Sequence, residues 1–308
     1  MVRDVKPAPS GEQYEISHGE QHATVVEVGG GIRAYRVADR DVLHPYDVDA
    51  MCDGAHGAPL VPWPNRIRDG RYTFDGTEYR VALTEPEKAN AIHGLLRWRS
   101  WHVVEHTADR VVLGIRLHPL TGYPFMLDVQ VGYSLGPHGL TVATTTTNVG
   151  DTACPYAHGQ HPYLSPGTGT IDACTLRFAA GFYIDTDEER QLPTEDVPVA
   201  GTAYDFADPH PLGDLAIDHA FGDLPRDDDG RASMELTGVD GRTARAWVDH
   251  TYPYLQVYTA DTLGPDRRRA GLGCEPMTSP PDAFGTGRDV LRLEPGEAVR
   301  NTWGASLD

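Results

Sequence analysis

The sequence feature that most constrains the fold is an alternation of apolar and polar residues with a period of two. It occurs in residues 31–43, 127–149 and 233–248, among other stretches. Successive side chains of a β-strand point to opposite faces, so this alternation is typical of strands with one buried face. No long window carries a helical 3.6-residue repeat, and Gly and Pro interrupt the chain often. We therefore expect an all-β fold, a large antiparallel β-sandwich with few short helices.

Turn sequences separate the alternating stretches. Asp75-Gly76 lies between two aromatic, β-prone runs and predicts a hairpin, because a type I′ turn needs a positive φ at both central residues. Residues 136–139 and the pair Asp240-Gly241 predict two further turns between strands. No linker composition and no internal repeat divides the chain, so residues 1–308 are predicted to form one domain.

Charge and composition narrow the class of partner. The formal net charge is −19, which repels nucleic-acid phosphates and anionic lipid, so we expect neither nucleic acid nor a membrane surface as partner. A neutral or cationic small molecule is favoured as ligand. The first 21 residues lack the apolar core of a secretory signal, and no apolar run is long enough for a membrane span. We therefore predict a cytoplasmic protein with reduced thiols.

Two stretches in the first third of the chain offer candidate ligand-binding residues. Asn65-Arg66 follows Trp63-Pro64, and the guanidinium of Arg66 has a rigid fork of donors that suits hydroxyls or a carboxylate. A loop arginine is also a common structural ion-pair residue. His93 precedes Gly94, where the backbone can approach a ligand closely, although a histidine can equally close a strand end.

Two histidines three residues apart, His158 and His161, raise the question of a metal site. They would share a face only on a helix, and Gly159 and Pro162 make a helix improbable, so the sequence disfavours a metal pair. Pro162 also restricts the backbone of His161 toward an extended conformation, which suits a rigidly held catalytic group.

A carboxylate near the carboxyl end of the chain is a candidate general base. Glu275 lies among Leu272, Cys274 and Met277. Burial among such residues would raise the pKa of Glu275 and make it a plausible base near neutral pH. The alternative for this stretch alone is an ordinary glutamate in a surface loop.

Six short motifs in a fixed order resemble the aldose 1-epimerase (galactose mutarotase) family, in its bacterial branch. The motifs are Asn65-Arg66, His93-Gly94, His161-Pro162-Tyr163, Asp218-His219-x-Phe221, Leu255-Gln256-Val257-Tyr258 and Glu275-Pro276. The resemblance extends from about residue 20 to residue 305 and implies a galactose mutarotase-like supersandwich with a sugar in an open cleft. It also implies an isomerase that interconverts the α and β anomers of a free aldohexose, with no cofactor and no metal.

The resemblance implies roles for three catalytic residues. Glu275 would be the base at the C1 hydroxyl. His161 would be the acid that protonates the ring oxygen, and the two would exchange roles when the ring closes. His93 would hydrogen-bond near the same oxygen and assist.

The resemblance also implies a set of substrate-binding residues. Arg66 and Asp218 would hold sugar hydroxyls, with Asn65 beside them as a lesser candidate. Gln256 would contact the sugar or orient the base. The partner implied is a small-molecule sugar, bound by a monomer or a homodimer.

Three alternatives remain open from the sequence. A hexose-6-phosphate 1-epimerase on the same fold would need basic groups for the phosphate, and the candidate clusters are Arg66 with Arg68 and Arg71, and Arg97 with Arg99. A non-catalytic sugar-binding module would usually have lost the acid or the base. A zinc hydrolase would be built on the histidine pair of residues 158 and 161.

Overall fold

The computed structural model describes residues 7–167 and 169–308. The predictions for the amino-terminal segment and for one domain over 1–308 extend beyond these residues. The described residues form 27 strands, one α-helix (Ala283–Thr286) and two single-turn 3-10 helices (Pro86–Lys88 and Ile171–Ala173). This confirms the all-β prediction with few short helices. None of the helices in the described ranges is long and apolar enough to cross a membrane.

The strands are numbered along the chain. The first thirteen are β1 (Gln13–His18), β2 (Gln21–Val26), β3 (Ile32–Val37), β4 (Arg40–Leu43), β5 (Pro59–Leu60), β6 (Arg66–Arg68), β7 (Arg71–Phe74), β8 (Thr77–Arg80), β9 (Asn90–Ile92), β10 (His102–His106), β11 (Arg110–Leu117), β12 (Leu127–Gly136) and β13 (Gly139–Asn148). The others are β14 (Cys154–Tyr156), β15 (Gly159–Gln160), β16 (Tyr163–Leu164), β17 (Thr175–Arg177), β18 (Phe182–Thr186), β19 (Pro193–Pro198), β20 (His210–Pro211), β21 (Asp218–Gly222), β22 (Ala232–Thr237), β23 (Thr243–Val248), β24 (Tyr254–Tyr258), β25 (Leu272–Met277), β26 (Leu291–Leu293) and β27 (Ala298–Leu307).

Two large antiparallel sheets dominate the fold. The larger has twelve strands in the order β1-β2-β3-β4-β16-β25-β24-β21-β18-β19, with β15 and β5 attached beside β25. The smaller has nine strands in the order β10-β11-β12-β13-β27-β23-β22-β17-β20. Three two-stranded ribbons, β14-β26, β6-β9 and β7-β8, complete the pairings.

The two large sheets pack face to face around one hydrophobic core. Strands β4 and β16 of the larger sheet contact β23 of the smaller one, and β1 and β2 contact β12. Val25, Tyr35 and Leu272 of the larger sheet are fully buried in one cluster with Val142 and Trp303 of the smaller sheet. Each such side chain contributes roughly 1.5–3 kcal/mol by leaving water. This packing confirms the predicted sandwich.

The predicted turns lie where the sequence placed them. Asp75 and Gly76 join β7 to β8 with φ values of 49° and 74°, as the type I′ prediction requires. The turn within residues 136–139 joins β12 to β13. Asp240-Gly241 lies between β22 and β23.

Candidate active site

Neighbouring strands of the larger sheet carry polar residues on the face that points away from the core. Leu255, Val257 and Cys274 belong to the core cluster, so the side chains that alternate with them on β24 and β25 project from the opposite face. Gln256 and Glu275 are such residues, and they are directly opposite each other across the two strands. Asp218 on β21 is opposite Tyr258 on β24 in the same way.

Asp218, Tyr258 and Glu275 line a cavity of about 380 Å³. Every residue to which the sequence gave a catalytic or substrate-binding role lies in its wall or within hydrogen-bond reach of it. The wall includes Asn65, Arg66, His93, His161, Asp218 and Glu275. Gln256 donates a hydrogen bond to Asp218 Oδ1 at 2.7 Å.

The ribbon β6-β9 brings two of these residues together at its end. Asn65 precedes β6 and His93 follows β9, and the backbone N–H of His93 donates to the Asn65 carbonyl at 2.9 Å. Both residues have left-handed backbone conformations, with φ values of 51° and 61°. Such values are uncommon outside glycine and concentrate at functional sites. Gly94 follows at φ 69°, where a Cβ atom would lie 2.1 Å from the carbonyl oxygen of Val61.

The hydrogen bond to its ring defines the tautomer of His93. The backbone N–H of Asn65 donates to His93 Nδ1 at 3.2 Å, so Nδ1 is unprotonated and a neutral ring carries its proton on Nε2. Burial, reinforced by the nearby His161 ring, holds the pKa of His93 well below its usual value. His93 is therefore neutral and presents Nε2–H as its donor.

His161 lies in the short connection between β15 and β16. Its carbonyl accepts the backbone N–H of Gly57 at 2.8 Å, and its own N–H donates to Ala58 at 3.2 Å. The ring stacks on Tyr163 at a centroid distance of 4.9 Å and meets the His93 ring edge-on at 5.3 Å. Backbone and ring contacts together fix the direction of the imidazole.

His161 and Glu275 form the central pair of the cavity. The distance from His161 Nε2 to Glu275 Oε1 is 3.1 Å, and both side chains are buried. Burial, with a smaller contribution from the charge of Asp218, raises the pKa of Glu275 well above its usual value. Burial, followed by the neighbouring His56, lowers the pKa of His161 to about 3. Both shifts favour a pair without separated charge that holds one proton between carboxyl and imidazole.

A hydrogen-bond network beside this pair includes three side chains that the sequence did not single out. Gln191 Nε2 donates to Asp218 Oδ2 at 2.9 Å, and its Oε1 accepts from Arg66 Nη2 at 2.7 Å. Arg66 also binds Glu85 through two hydrogen bonds of 2.8 and 2.9 Å. Lys88 donates to the same Gln191 oxygen.

Arg66 thus fits both interpretations offered by the sequence. It belongs to a structural ion pair and it lines the cavity. Of the other arginines considered for a phosphate, Arg68 and Arg71 pair with Asp282 and Glu78 outside the cavity wall, and Arg99 is exposed. Among these candidates, Arg97 joins Arg66 in the cavity wall.

His158 is separated from the site. It is fully buried, its ring lies 5.9 Å from that of Tyr252 between the sheets, and burial lowers its pKa to about 3. His161 instead faces the cavity, so the idea of a zinc hydrolase loses its proposed ligand pair.

A different grouping has the spacing of a metal site. One ligand atom each from His93, His161 and Glu275 lie within 4.8 Å of one another. A divalent cation here would displace the His161–Glu275 hydrogen bond. It would also lie near Arg66 and Arg97, whose charges already lower the pKa of His93. The electrostatics therefore favour proton transfer over cation binding by these three groups.

Comparison with known proteins identifies the family. The family model for aldose 1-epimerase matches residues 12–304. The chain belongs to the aldose 1-epimerase family. The resemblance inferred from the motifs is thereby confirmed at the level of the family.

Relatives within the family span nearly the whole chain. The uncharacterized protein YihR of Escherichia coli is 36% identical over 295 residues, which cover 94% of this chain and 92% of YihR. The galactose mutarotase of Rattus norvegicus is 28% identical and covers 83% of this chain and 80% of its own length.

Solved structures share the epimerase fold. An aldose epimerase homologue from C. elegans superposes with a TM-score of 0.85 at 19% identity, covering 96% of this chain and 98% of the other. A putative aldose 1-epimerase from Escherichia coli gives a TM-score of 0.82 at 24% identity, with coverage of 96% and 99%. These likenesses confirm the galactose mutarotase-like architecture.

Proposed function

We propose that the protein is an aldose 1-epimerase that interconverts the α and β anomers of a free aldohexose of the glucose or galactose type. The observation that carries this proposal is the buried pair of His161 Nε2 and Glu275 Oε1, 3.1 Å apart in the wall of a sugar-sized cavity. Family membership supports the same reaction.

Ring opening of a sugar requires one base and one acid close together. The C1 hydroxyl loses a proton while the ring oxygen gains one, and both oxygens are bonded to C1. In our proposal the shared proton first passes from Glu275 to His161 across their hydrogen bond. The Glu275 carboxylate then takes the hydroxyl proton while the His161 imidazolium protonates the ring oxygen. After rotation about the C1–C2 bond, the two groups reverse these transfers from the other face. The pair ends with the one proton it began with, so no cofactor is consumed.

His93 would assist through its fixed tautomer. With Nδ1 occupied by the Asn65 N–H, Nε2–H is the donor left for an oxygen of the sugar. A donor that stays neutral can stabilise charge on that oxygen without competing for the proton that His161 transfers.

The polar network would hold the remaining hydroxyls. Each oxygen of Asp218 accepts one amide hydrogen bond, from Gln256 and from Gln191, and a carboxylate oxygen can accept a second from a sugar hydroxyl. Arg66 and Asn65 line the same cavity and offer planar donors. Such groups, held by their neighbours, bind hydroxyls with little further loss of entropy.

The alternative is a non-catalytic sugar-binding module on the same fold. The buried acid and base, in contact and with shifted pKa values, favour catalysis over simple binding.

The alternative zinc chemistry predicts stoichiometric metal and loss of activity with a chelator. Elemental analysis and a chelator-treated sample therefore accompany the activity assay.

The test follows freshly dissolved pure anomers of glucose and galactose by polarimetry or NMR, after subtraction of the spontaneous rate. Glu275→Gln should lower kcat by about 10²- to 10⁴-fold while sugar binding persists. The matched control is Glu78→Gln at an exposed hairpin position. A Glu275→Gln variant within tenfold of wild type would show that Glu275 is not the base, and an inactive wild type would favour the binding module.

A cytoplasmic location and a monomeric or homodimeric state remain predictions. Size-exclusion chromatography with light scattering measures the second of these directly.

A further inference from the structure

Arg97 is a buried charge in the cavity wall without a partner. It is 8% exposed and lines the cavity. No hydrogen bond or ion pair joins its guanidinium to any residue in the described part of the chain, whereas Arg66 in the same cavity is bound by Glu85. Charged side chains are rarely this buried unless they are paired.

The acidic groups whose charges act on Arg97 do not neutralise it. The first is the thiol of Cys52, and burial raises its pKa to about 11, so it is uncharged at neutral pH. The next is Glu85, whose two oxygens are held by Arg66. Burial lowers the pKa of Arg97, but a guanidinium remains protonated at neutral pH.

Trp98 fixes the orientation of this charge. The Arg97 guanidinium carbon lies 4.0 Å from the centroid of the Trp98 ring, and Trp98 Nε1 donates to the Cys52 carbonyl at 3.4 Å. Stacking occupies one face of the guanidinium and leaves the N–H groups along its edge available. Such a fork matches the paired oxygens of a carboxylate, a phosphate or a sulfonate.

The position of Arg97 links it to the reacting sugar. Its charge acts on both His93 and His161. It shares the cavity wall with Gly54 and Tyr163, and with Arg66, Gln191 and Asp218 of the hydrogen-bonded network. An aldose whose C1 lies at the His161–Glu275 pair could therefore place a charged substituent at Arg97 while its hydroxyls meet that network.

We propose that the substrate is an aldose with an anionic substituent and that Arg97 binds this group. The proposal rests on the epimerase function proposed above and adds the charge of the substrate. It differs from the expectation of a neutral or cationic ligand that the net charge of −19 suggested. Surface charge is screened beyond about 8 Å at physiological salt, whereas a buried guanidinium acts on a ligand in direct contact.

The experiment compares kcat/KM for glucose with kcat/KM for three anionic hexoses, measured by NMR exchange between anomers. The three are glucose 6-phosphate, glucuronate and a glucose with a sulfonate at C6, which distinguish the possible sources of the charge. Wild type should prefer at least one anionic sugar to glucose by about tenfold or more.

Variants assign that preference to one residue. Arg97→Met should lower the ratio of anionic to neutral kcat/KM by about 10- to 100-fold, mainly through KM. Arg97→Lys, which keeps the charge, should retain more of the preference for the anionic sugar than Arg97→Met does. Arg99→Met is the matched control, two residues away and exposed, and should leave the ratio unchanged.

A measurement on wild type alone makes the test independent of whether a variant folds. Methyl glycosides cannot open, so they act as inhibitors of glucose turnover, and the anionic glycoside should have an inhibition constant about tenfold below that of methyl glucoside. The proposal is overturned if wild type prefers glucose to all three anions, or if Arg97→Met lowers both rates equally. Absence of turnover on every sugar would instead refute the epimerase function.

Discussion

Raising the pH across the usual titration range of histidine should leave the epimerase activity nearly unchanged. The active form in our mechanism is a His161–Glu275 pair that holds one proton. Burial lowers the pKa of His161 to about 3, so the pair gains a second proton only near that pH. Burial and the charge of Asp218 raise the pKa of Glu275 well above its usual value, so the pair keeps its one proton to a higher pH than an ordinary carboxyl would.

The expected difference from an unperturbed pair is large. If His161 were an exposed acid with a pKa of about 6.5, the fraction carrying its proton would fall from about 90% at pH 5.5 to about 9% at pH 7.5, a tenfold loss of activity. The buried pair should lose less than about twofold over the same interval. The comparison is independent of the sugar, because glucose does not titrate in this range.

The assay measures kcat/KM for glucose by polarimetry from pH 5.5 to 7.5, with the spontaneous rate subtracted at each pH. Circular dichroism at each pH verifies that the protein remains folded. A tenfold loss with a midpoint near 6.5 would show that His161 titrates as an exposed histidine and would refute the shared-proton mechanism.

Substitutions at three further positions test a neighbour of the pair, a buried histidine in the core and a close backbone contact. His93→Gln keeps an amide donor near the ring Nε2 position and should retain about tenfold more polarimetric activity than His93→Asn, whose amide is too short; equal losses would contradict the proposed donor. His158→Phe removes a ring that stays neutral in the fold while the unfolded chain binds a proton below pH 6.5. Wild type should therefore lose up to about 1.4 kcal/mol of unfolding free energy per pH unit through this ring as the pH falls from 6.5 toward 3. The unfolding free energy of the variant, measured with urea at each pH, should fall less steeply over the same pH range. Gly94→Ala should lower the free energy of unfolding by at least about 2 kcal/mol, because its Cβ meets the Val61 carbonyl at 2.1 Å; an unchanged urea midpoint would contradict that contact.

The fold class was predictable because its signals are local. Alternation and turn chemistry act within a few residues, and the hairpin at Asp75-Gly76 follows from two residues alone. The order of strands in the larger sheet was not predictable in this way. Strand β25 lies between β16 and β24, and this arrangement depends on contacts across more than a hundred residues, for which the sequence has no local signature.

The same limit applies to the site. The residues in recognisable motifs were found, but Gln191 and Glu85 were not. Gln191 meets Arg66 across 125 positions of the chain, and its own surroundings read as an ordinary turn. The expectation of a neutral or cationic ligand came from the net charge of the whole chain, and it stays a prediction. A sum over 308 residues cannot report that one arginine, Arg97, is buried without a partner.

The two histidines of residues 156–164 show how local spacing can still inform the site. In extended chain, residues an odd number of positions apart point to opposite faces. His158 and His161 are three apart, and their rings lie on opposite faces of the larger sheet. His158 lies in the core beside Tyr252, and His161 lies in the cavity beside Glu275. A pair of metal ligands on such a segment would need an even spacing or a helix. The three-residue spacing first suggested a metal site. In an extended chain, the same spacing prevents the two rings from binding one metal ion.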